Sequence, residues 1–323
     1  MNPFTNCKIV GEQVDPAVYL ASDKERGERD YVMSRSSLME VWLCAERWKN
    51  GFERKESDAT EYGNRFDTLV LDPERWPEKY AVHPENYPCE PTKKDPRTEK
   101  PWNGNSDWCK AWKAETEKAG KVVLSVKEDA DVKDAVIILH KQPEISALIQ
   151  ASRKQVHIVG EYHDPKTGLR IPVKTLIDLV SEDKLGDLKS ASSADPLRWG
   201  KTCFDYNYDA QAGMNLDLWN AATGEERTDF FHIIQENYAP WQVCFPIPVL
   251  SAELVEIGRA KVLSALRHYA LCLESNNWPG YSPTRIRWFP WQIIEATPYM
   301  QARAGERIFQ PQTEAHFVSE MPS

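Results

Sequence analysis

An aspartate followed nine residues later by Asp-Leu-Lys is a spacing with chemical content. In LRIPVKTLIDLVSEDKLGDLKSAS the residues are Asp178, then Asp187, Leu188 and Lys189. Successive side chains of a strand alternate between faces, so Asp187 and Lys189 share one face while Leu188 turns to the other. If a strand ending near Asp178 pairs with this one through the SEDK turn, two carboxylates and an ammonium converge near one sheet edge. Carboxylates together with a backbone carbonyl form a site for a hard divalent cation. Such an ion lowers the pKa of a bound water, and a neighbouring ammonium steadies the charge that develops on a phosphoryl group. Short charged patterns also arise by chance on solvated hairpins, so the spacing alone leaves both readings open.

The flanking segments must position these groups. Val156, Ile158, Gly160 and Tyr162 alternate with more polar residues, DPKTG reads as a turn, and Leu169, Ile171, Val173, Thr175 and Ile177 alternate again. That is the pattern of a three-stranded meander, with Arg170, Lys174 and Asp178 opposite the apolar face. Upstream, SRSSLMEVWLCAERWKNG predicts a helix capped by Ser34 or Ser36, with the stripe Leu38, Val41, Trp42, Ala45, ended by Gly51. TEYGNRFDTLVLDPERW predicts a second helix that stops before Pro73. Two more are expected at about 107–119 and 127–141, with KVVLS extended between them. Downstream the sequence predicts one helix from about Pro196 to Ala222, ended by Gly224. FFHIIQENY and WQVCFPIPV then read as two strands, and Ser251 caps a long amphipathic helix.

Residues 84–107 are rich in proline and basic residues and read as a long loop. Lys93, Lys94, Arg97 and Lys100, with Trp102 and Trp108, could track a phosphate backbone and stack a base, or could simply be a solvated loop. Residues 291–323 have no clear period and read as an irregular tail.

Composition narrows the function classes. With 323 residues, 41% hydrophobic and 28% charged, the chain is expected to be a globular α/β protein, one domain over 1–323, and not collagen-like or disordered. Its 40 basic and 49 acidic residues give a net charge of -9, which argues against coating nucleic acid by bulk charge. A local basic groove remains compatible with that balance. No apolar run approaches the ~20 residues of a membrane span, and the start MNPFTNCKIVGEQ lacks a signal-peptide layout. A cytoplasmic location without membrane association is expected. Seven cysteines without a CxxC spacing read as reduced thiols.

The stretch from Asp164 to Trp219 resembles the core of the RecE-type exodeoxyribonuclease VIII family, a branch of the RecB-like PD-(D/E)xK nucleases. The shared features are a hairpin ending in Asp, a D-x-K strand, a Ser-rich link and a helix carrying Tyr-x-x-Gln. In order along the chain, SRSSLMEVWLCAERW, GNRFDTLVLDPERW, the segment GKVVLS to ISALI, and NNWPGYSP extend the resemblance over about residues 17–290. It implies a PD-(D/E)xK fold, a central mixed sheet flanked by helices. It further implies a metal-dependent exonuclease that hydrolyses the ends of linear double-stranded DNA from 5′ to 3′, for recombination by single-strand annealing. Mg²⁺ is the implied cofactor, with Mn²⁺ able to substitute. A ring-shaped homo-oligomer, trimer or tetramer, and a single-strand annealing protein are the implied partners, in a bacterial or phage-encoded system.

Carried over by position, the resemblance makes Asp178 and Asp187 metal ligands, the Leu188 carbonyl a further ligand, Lys189 the catalytic lysine, and Gln211 the helix glutamine that holds the lysine region. Asp67 stands where the family usually has a metal-binding His. Asn215 replaces a tyrosine expected to contact DNA. Glu161 is a weaker candidate ligand on the first strand of the meander. Arg153, Lys154 and Lys174 are the candidates for phosphate contact, and His157, His163 and His232 read as ordinary strand residues. Cysteine spacing excludes the related iron–sulfur nucleases, since no cysteine cluster lies near the C-terminus. Two rivals remain: an endonuclease on the same scaffold, and a DNA-binding relic that has lost activity, suggested by Asp67 and Asn215.

Overall fold

In the computed structural model, which describes residues 2–52, 57–92 and 95–281, the meander is the centre of a five-stranded sheet. Its strands are β1 (Phe4–Gly11), β2 (Arg153–His163), β3 (Arg170–Val180), β4 (Leu185–Ala191) and β5 (Phe230–Glu236), in that spatial order. The first four run antiparallel to their neighbours, and β5 pairs parallel to β4, so the sheet is mixed as expected. The N-terminal strand β1 was not legible beforehand. Its pairing with β2 is interrupted by irregularities, and its burial does not alternate cleanly.

The labelled helices are α1 (Arg35–Lys49), α2 (Asp58–Leu71), α3 (Asp107–Lys118), α4 (Val126–His140), α5 (Pro143–Ala151), α6 (Pro196–Asp205), α7 (Tyr208–Thr223) and α8 (Ala252–Ser275). Between the two candidate caps of α1, Ser34 is the one used, accepting from the Ser37 N–H. Trp42, expected in the apolar stripe, is exposed, and Trp48 is the buried anchor. Ser125 and Glu128 form a capping box at the start of α4, each satisfying the other's backbone N–H.

Alternation divides the core between the two faces of the sheet. Ile158, Val173, Ile177 and Ile234 pack with residues of α1, α7 and α8. Leu179, Leu188, Phe231 and Ile233 pack with Phe66 and Val70 of α2, Val132 and Leu139 of α4 and Ile145 of α5. Helices on both faces leave β5 buried along nearly its whole length.

Three expectations change. The predicted single helix from Pro196 to Ala222 is two, because Asn207 adopts a left-handed conformation at φ 57 and breaks the ladder between α6 and α7. WQVCFPIPV makes only the isolated bridges Gln235–Val243 and Phe231–Val249 along the outer edge of β5. Pro246 and Pro248 remove the N–H groups a regular strand would need. The 84–107 loop holds a short antiparallel pair, Asn86–Pro88 with Glu99–Pro101. Lys93, Lys94 and the expected 291–323 tail lie outside the described residues.

Candidate active site

Strands β3 and β4 pair only next to their turn, at Val180–Leu185 and Leu179–Gly186, and then part. Asp178 stands at the point of separation. Its Oδ2 accepts the Leu188 N–H at 3.2 Å, so a side chain takes over where strand pairing stops. Burial raises the Asp178 carboxyl above the usual carboxylate range, against the pull of Lys189 and the Leu188 hydrogen bond.

Asp187 and Lys189 share the face of β4 that meets α6 and α7, while Leu188 enters the opposite core cluster. The solvated-hairpin reading fails here, since Asp187 is 1% exposed. Its carboxylate is ion-paired to Lys189 and accepts from Gln211 Nε2 at 2.5 Å. Arg35, at the start of α1, donates to Gln211 Oε1 at 3.3 Å and orients the amide. Burial lowers the Lys189 ammonium to about 8, with Asp178 and Asp67 opposing the shift and Arg35 adding to it.

Helix α2 delivers Asp67 to the same place from the other face of the sheet. Burial first, and then the negative charge of Asp178, push its carboxyl well above the usual range, while Lys189 acts the other way. Arg65, two residues earlier and buried, pairs with Glu128 at 2.9 Å, which ties α2 to the capping box of α4. A cavity of about 820 Å³ opens over these groups, lined by Asp67, Leu188, Lys189, Ser190, Trp199 and Tyr208 among others.

Several residues of the site were not singled out from sequence. The Lys189 Nζ lies 4.8 Å from the centroid of the Tyr208 ring. His232, read as an ordinary strand residue, is in register with Asp187 across β4 and β5 and is fully buried. Its Nδ1 accepts the Trp199 indole N–H at 3.2 Å, which places the ring proton on Nε2. Burial and the charge of Lys189 hold the imidazole neutral, well below its ordinary pKa. Nothing in the spacing of Arg35, Trp199 or His232 marks them, because only tertiary packing brings them to β4, whereas Tyr208 is the tyrosine of the Tyr-x-x-Gln pattern that ends at Gln211.

Other candidates do not converge. Glu161 pairs in register with Pro172, so about 20 Å of strand at ~3.3 Å per residue separates it from Asp178. It accepts from Asn6 Nδ2 at 2.8 Å instead. Lys174 donates to the carbonyls of Tyr19 and Ala21 and so tethers the N-terminal segment. Arg153 pairs with Glu12 at 2.7 Å and packs over Trp219. Lys154 is in register with Leu179, next to Asp178, and is the one of the three basic candidates placed near the site. Asn215 is fully buried and accepts from Thr175 Oγ1, so it braces α7 against β3 and has no surface for DNA to touch. In the 84–107 segment, Arg97 and Lys100 both pair with Asp95, and Trp102 stacks at 4.3 Å on His83, which immediately precedes the segment, so these groups already have partners in the protein.

The donor chemistry fits a hard cation. Asp67 and Asp178 are two oxygen donors brought together against their own repulsion, which a divalent ion relieves. Among the described residues no group of three His, Cys, Asp or Glu side chains is arranged as a ready-made cage. The third expected carboxylate, Asp187, is engaged by Gln211 and Lys189.

Comparison with known proteins bears on the fold and the family. The crystal structure of a "Putative exonuclease" from Eubacterium rectale superposes with a TM-score of 0.53 at 13% identity, covering 91% of this chain and all of the other, a likeness of fold. No curated protein sequence matches the chain. No helix among the described residues is long and apolar enough to cross a membrane. Residues 36–284 match the family model described as "PDDEXK-like domain of unknown function (DUF3799)", and the chain belongs to that PDDEXK-like family.

Proposed function

We propose that the chain is a divalent-metal-dependent DNA exonuclease that hydrolyses phosphodiesters at the ends of linear double-stranded DNA. The observation that carries this reading is the meeting of Asp67, Asp178 and Lys189, with Asp187 held behind them by Gln211, beneath one open cavity. Asp67 and Asp178 would hold the ion, with the Leu188 carbonyl beside them, and Asp187 would be available to it if Lys189 exchanged its carboxylate for the phosphate. Mg²⁺, or Mn²⁺ in its place, would supply Lewis-acid polarisation of the phosphoryl oxygen and a more acidic bound water. Lys189 presents its ammonium to the developing charge on phosphorus, and Gln211, oriented by Arg35, keeps Asp187 placed while that exchange occurs.

The resemblance to RecE-type enzymes adds the finer reading: 5′ to 3′ polarity, a trimeric or tetrameric ring, and a single-strand annealing protein as partner in recombination. The experiment compares linear and closed-circular duplexes in Mg²⁺, with each strand end labelled separately. Loss of 5′ label from linear DNA with the circle intact is the expected result. Cleavage of the circle would make the enzyme an endonuclease, and binding without any cleavage would make it a relic.

A further inference from the structure

Beside the proposed metal site, three aromatic rings form a continuous stack leading outward. The Trp199 ring lies 5.8 Å from that of Tyr208 at an interplanar angle of 26°, and Tyr208 lies 5.9 Å from Tyr206 at 20°. The inner end is buried, anchored by the Trp199 hydrogen bond to His232. The outer end is not: Tyr206 is 61% exposed, although every other ring of the stack is packed. All three rings line the same cavity as Lys189, whose ammonium stands over the middle ring at 4.8 Å.

The turn that carries the outer two rings is held rigidly. Asn207, between the tyrosines, is left-handed, and the buried Lys261 ammonium donates to the Phe204 carbonyl and Asn207 Oδ1 at 3.1 Å each while pairing with Asp209 at 2.8 Å. Removing so well satisfied a charge from water is costly unless its partners are fixed, so this network holds the turn in one conformation. The exposed ring is therefore preorganised, and ordering it on binding loses little entropy.

We propose that Tyr206 is the stacking platform for an unpaired nucleobase of the strand whose phosphate lies at Lys189, so that the duplex end frays and its cleaved strand enters the cavity unpaired. This rests on the nuclease reading for the phosphate, while the stack itself identifies the ligand as a planar π-system. A flat ring stacked on one side and open on the other is completed by another flat ring, and every base offers one whatever its sequence. The volume of about 820 Å³ accommodates a short single strand. Hydroxyls of Ser190, Ser192 and Thr202 on the wall suit sugar and phosphate oxygens.

The test uses the full chain in EDTA and a short single-stranded deoxyoligonucleotide carrying 2-aminopurine at successive positions from its end. Wild type should quench the fluorophore at one position near the end. Tyr206→Ala should lose that quenching and weaken binding between about fivefold and a hundredfold, the range for removing one base–aromatic stack. Tyr206→Phe and Tyr206→Trp should retain both. Unchanged quenching and affinity in Tyr206→Ala, or equal loss in Tyr206→Phe, would overturn the assignment. Hydrolysis in Mg²⁺ is scored separately. A protein that quenches through Tyr206 but cuts nothing supports the platform and overturns the nuclease reading alone, whereas one that cuts with Tyr206→Ala indistinguishable from wild type overturns the platform alone.

Discussion

The Leu188 N–H donates to Asp178 Oδ2 at 3.2 Å, across the gap where β3 and β4 separate. One hydrogen bond thus links the proposed metal-binding carboxylate of one strand to the backbone of the strand that carries Asp187 and Lys189. The splay leaves room for the carboxylate, and the carboxylate satisfies an N–H that the splay would have orphaned.

Lys189→Ala should abolish most hydrolysis, by two or more orders of magnitude, because one preorganised charge stabiliser is lost. It should also destabilise the fold. A surface lysine could be removed for less than ~1 kcal/mol, but here the nearly inaccessible Asp187 would keep a buried charge with only Gln211 beside it, so a loss of about 3 kcal/mol is expected. Denaturant unfolding checks this. Asp187→Asn combined with Lys189→Met should recover much of the stability while remaining inactive.

Asp67→Asn should raise the stability of the metal-free protein by about 1 kcal/mol, by removing a buried like charge from Asp178. The sign follows from the raised pKa. A carboxylate whose folded pKa lies above its unfolded value, near 3.8, favours the fold fully below that value, and the benefit is lost as pH rises through the folded pKa. Wild type in EDTA should therefore melt at a higher temperature when pH is lowered from 7 towards 5, and the variant much less so. Added Mg²⁺ should stabilise wild type and leave Asp67→Asn nearly unmoved.

Glu128→Ala should weaken the fold by about 1 kcal/mol or less, since the carboxylate is largely exposed and its ion pair with Arg65 is partly screened. Burial works against the Glu128 charge, but the Ser125 hydrogen bonds and Arg65 bring its pKa down to about 2. Its contribution is present above the unfolded value of 4.5 and is lost as pH falls through 2. The stability difference between variant and wild type should accordingly shrink in acid. Because Arg65 shares α2 with Asp67, Mg²⁺ affinity measured by titration should fall as well.

Lys174→Ala should leave the salt dependence of DNA binding unchanged. A lysine that neutralises a phosphate contributes about 0.9 to the slope of log affinity against log salt. Lys174 is instead spent on the Tyr19 and Ala21 carbonyls, so proteolysis within the N-terminal segment should increase. A slope reduced by one phosphate contact would restore Lys174 to the DNA surface.

Alternation along the chain was enough to place Asp178, Asp187 and Lys189 on adjacent strands, because β2 and β3 each bury one face and a one-residue slip would expose the core. Caps at Ser34 and Ser251 and the positive-φ Gly224 are likewise local, set by residues within a turn of each other. The break at Asn207 escaped detection because apolar residues continue on both sides of it, and the conformation is stabilised by Lys261 from a distant helix. Which face is solvated was also beyond the local pattern. An alternating strand looks the same whether its polar side meets water or meets α6 and α7, and it is the covering helices that leave Asp187 only 1% exposed. The sequence by itself determined the meander strands β2, β3 and β4 and the identity of the acidic and basic groups on them. Only the tertiary structure decided that Asp67 joins them while Glu161, Lys174 and Asn215 do not, because those meetings depend on helix packing and strand register between residues far apart in the chain.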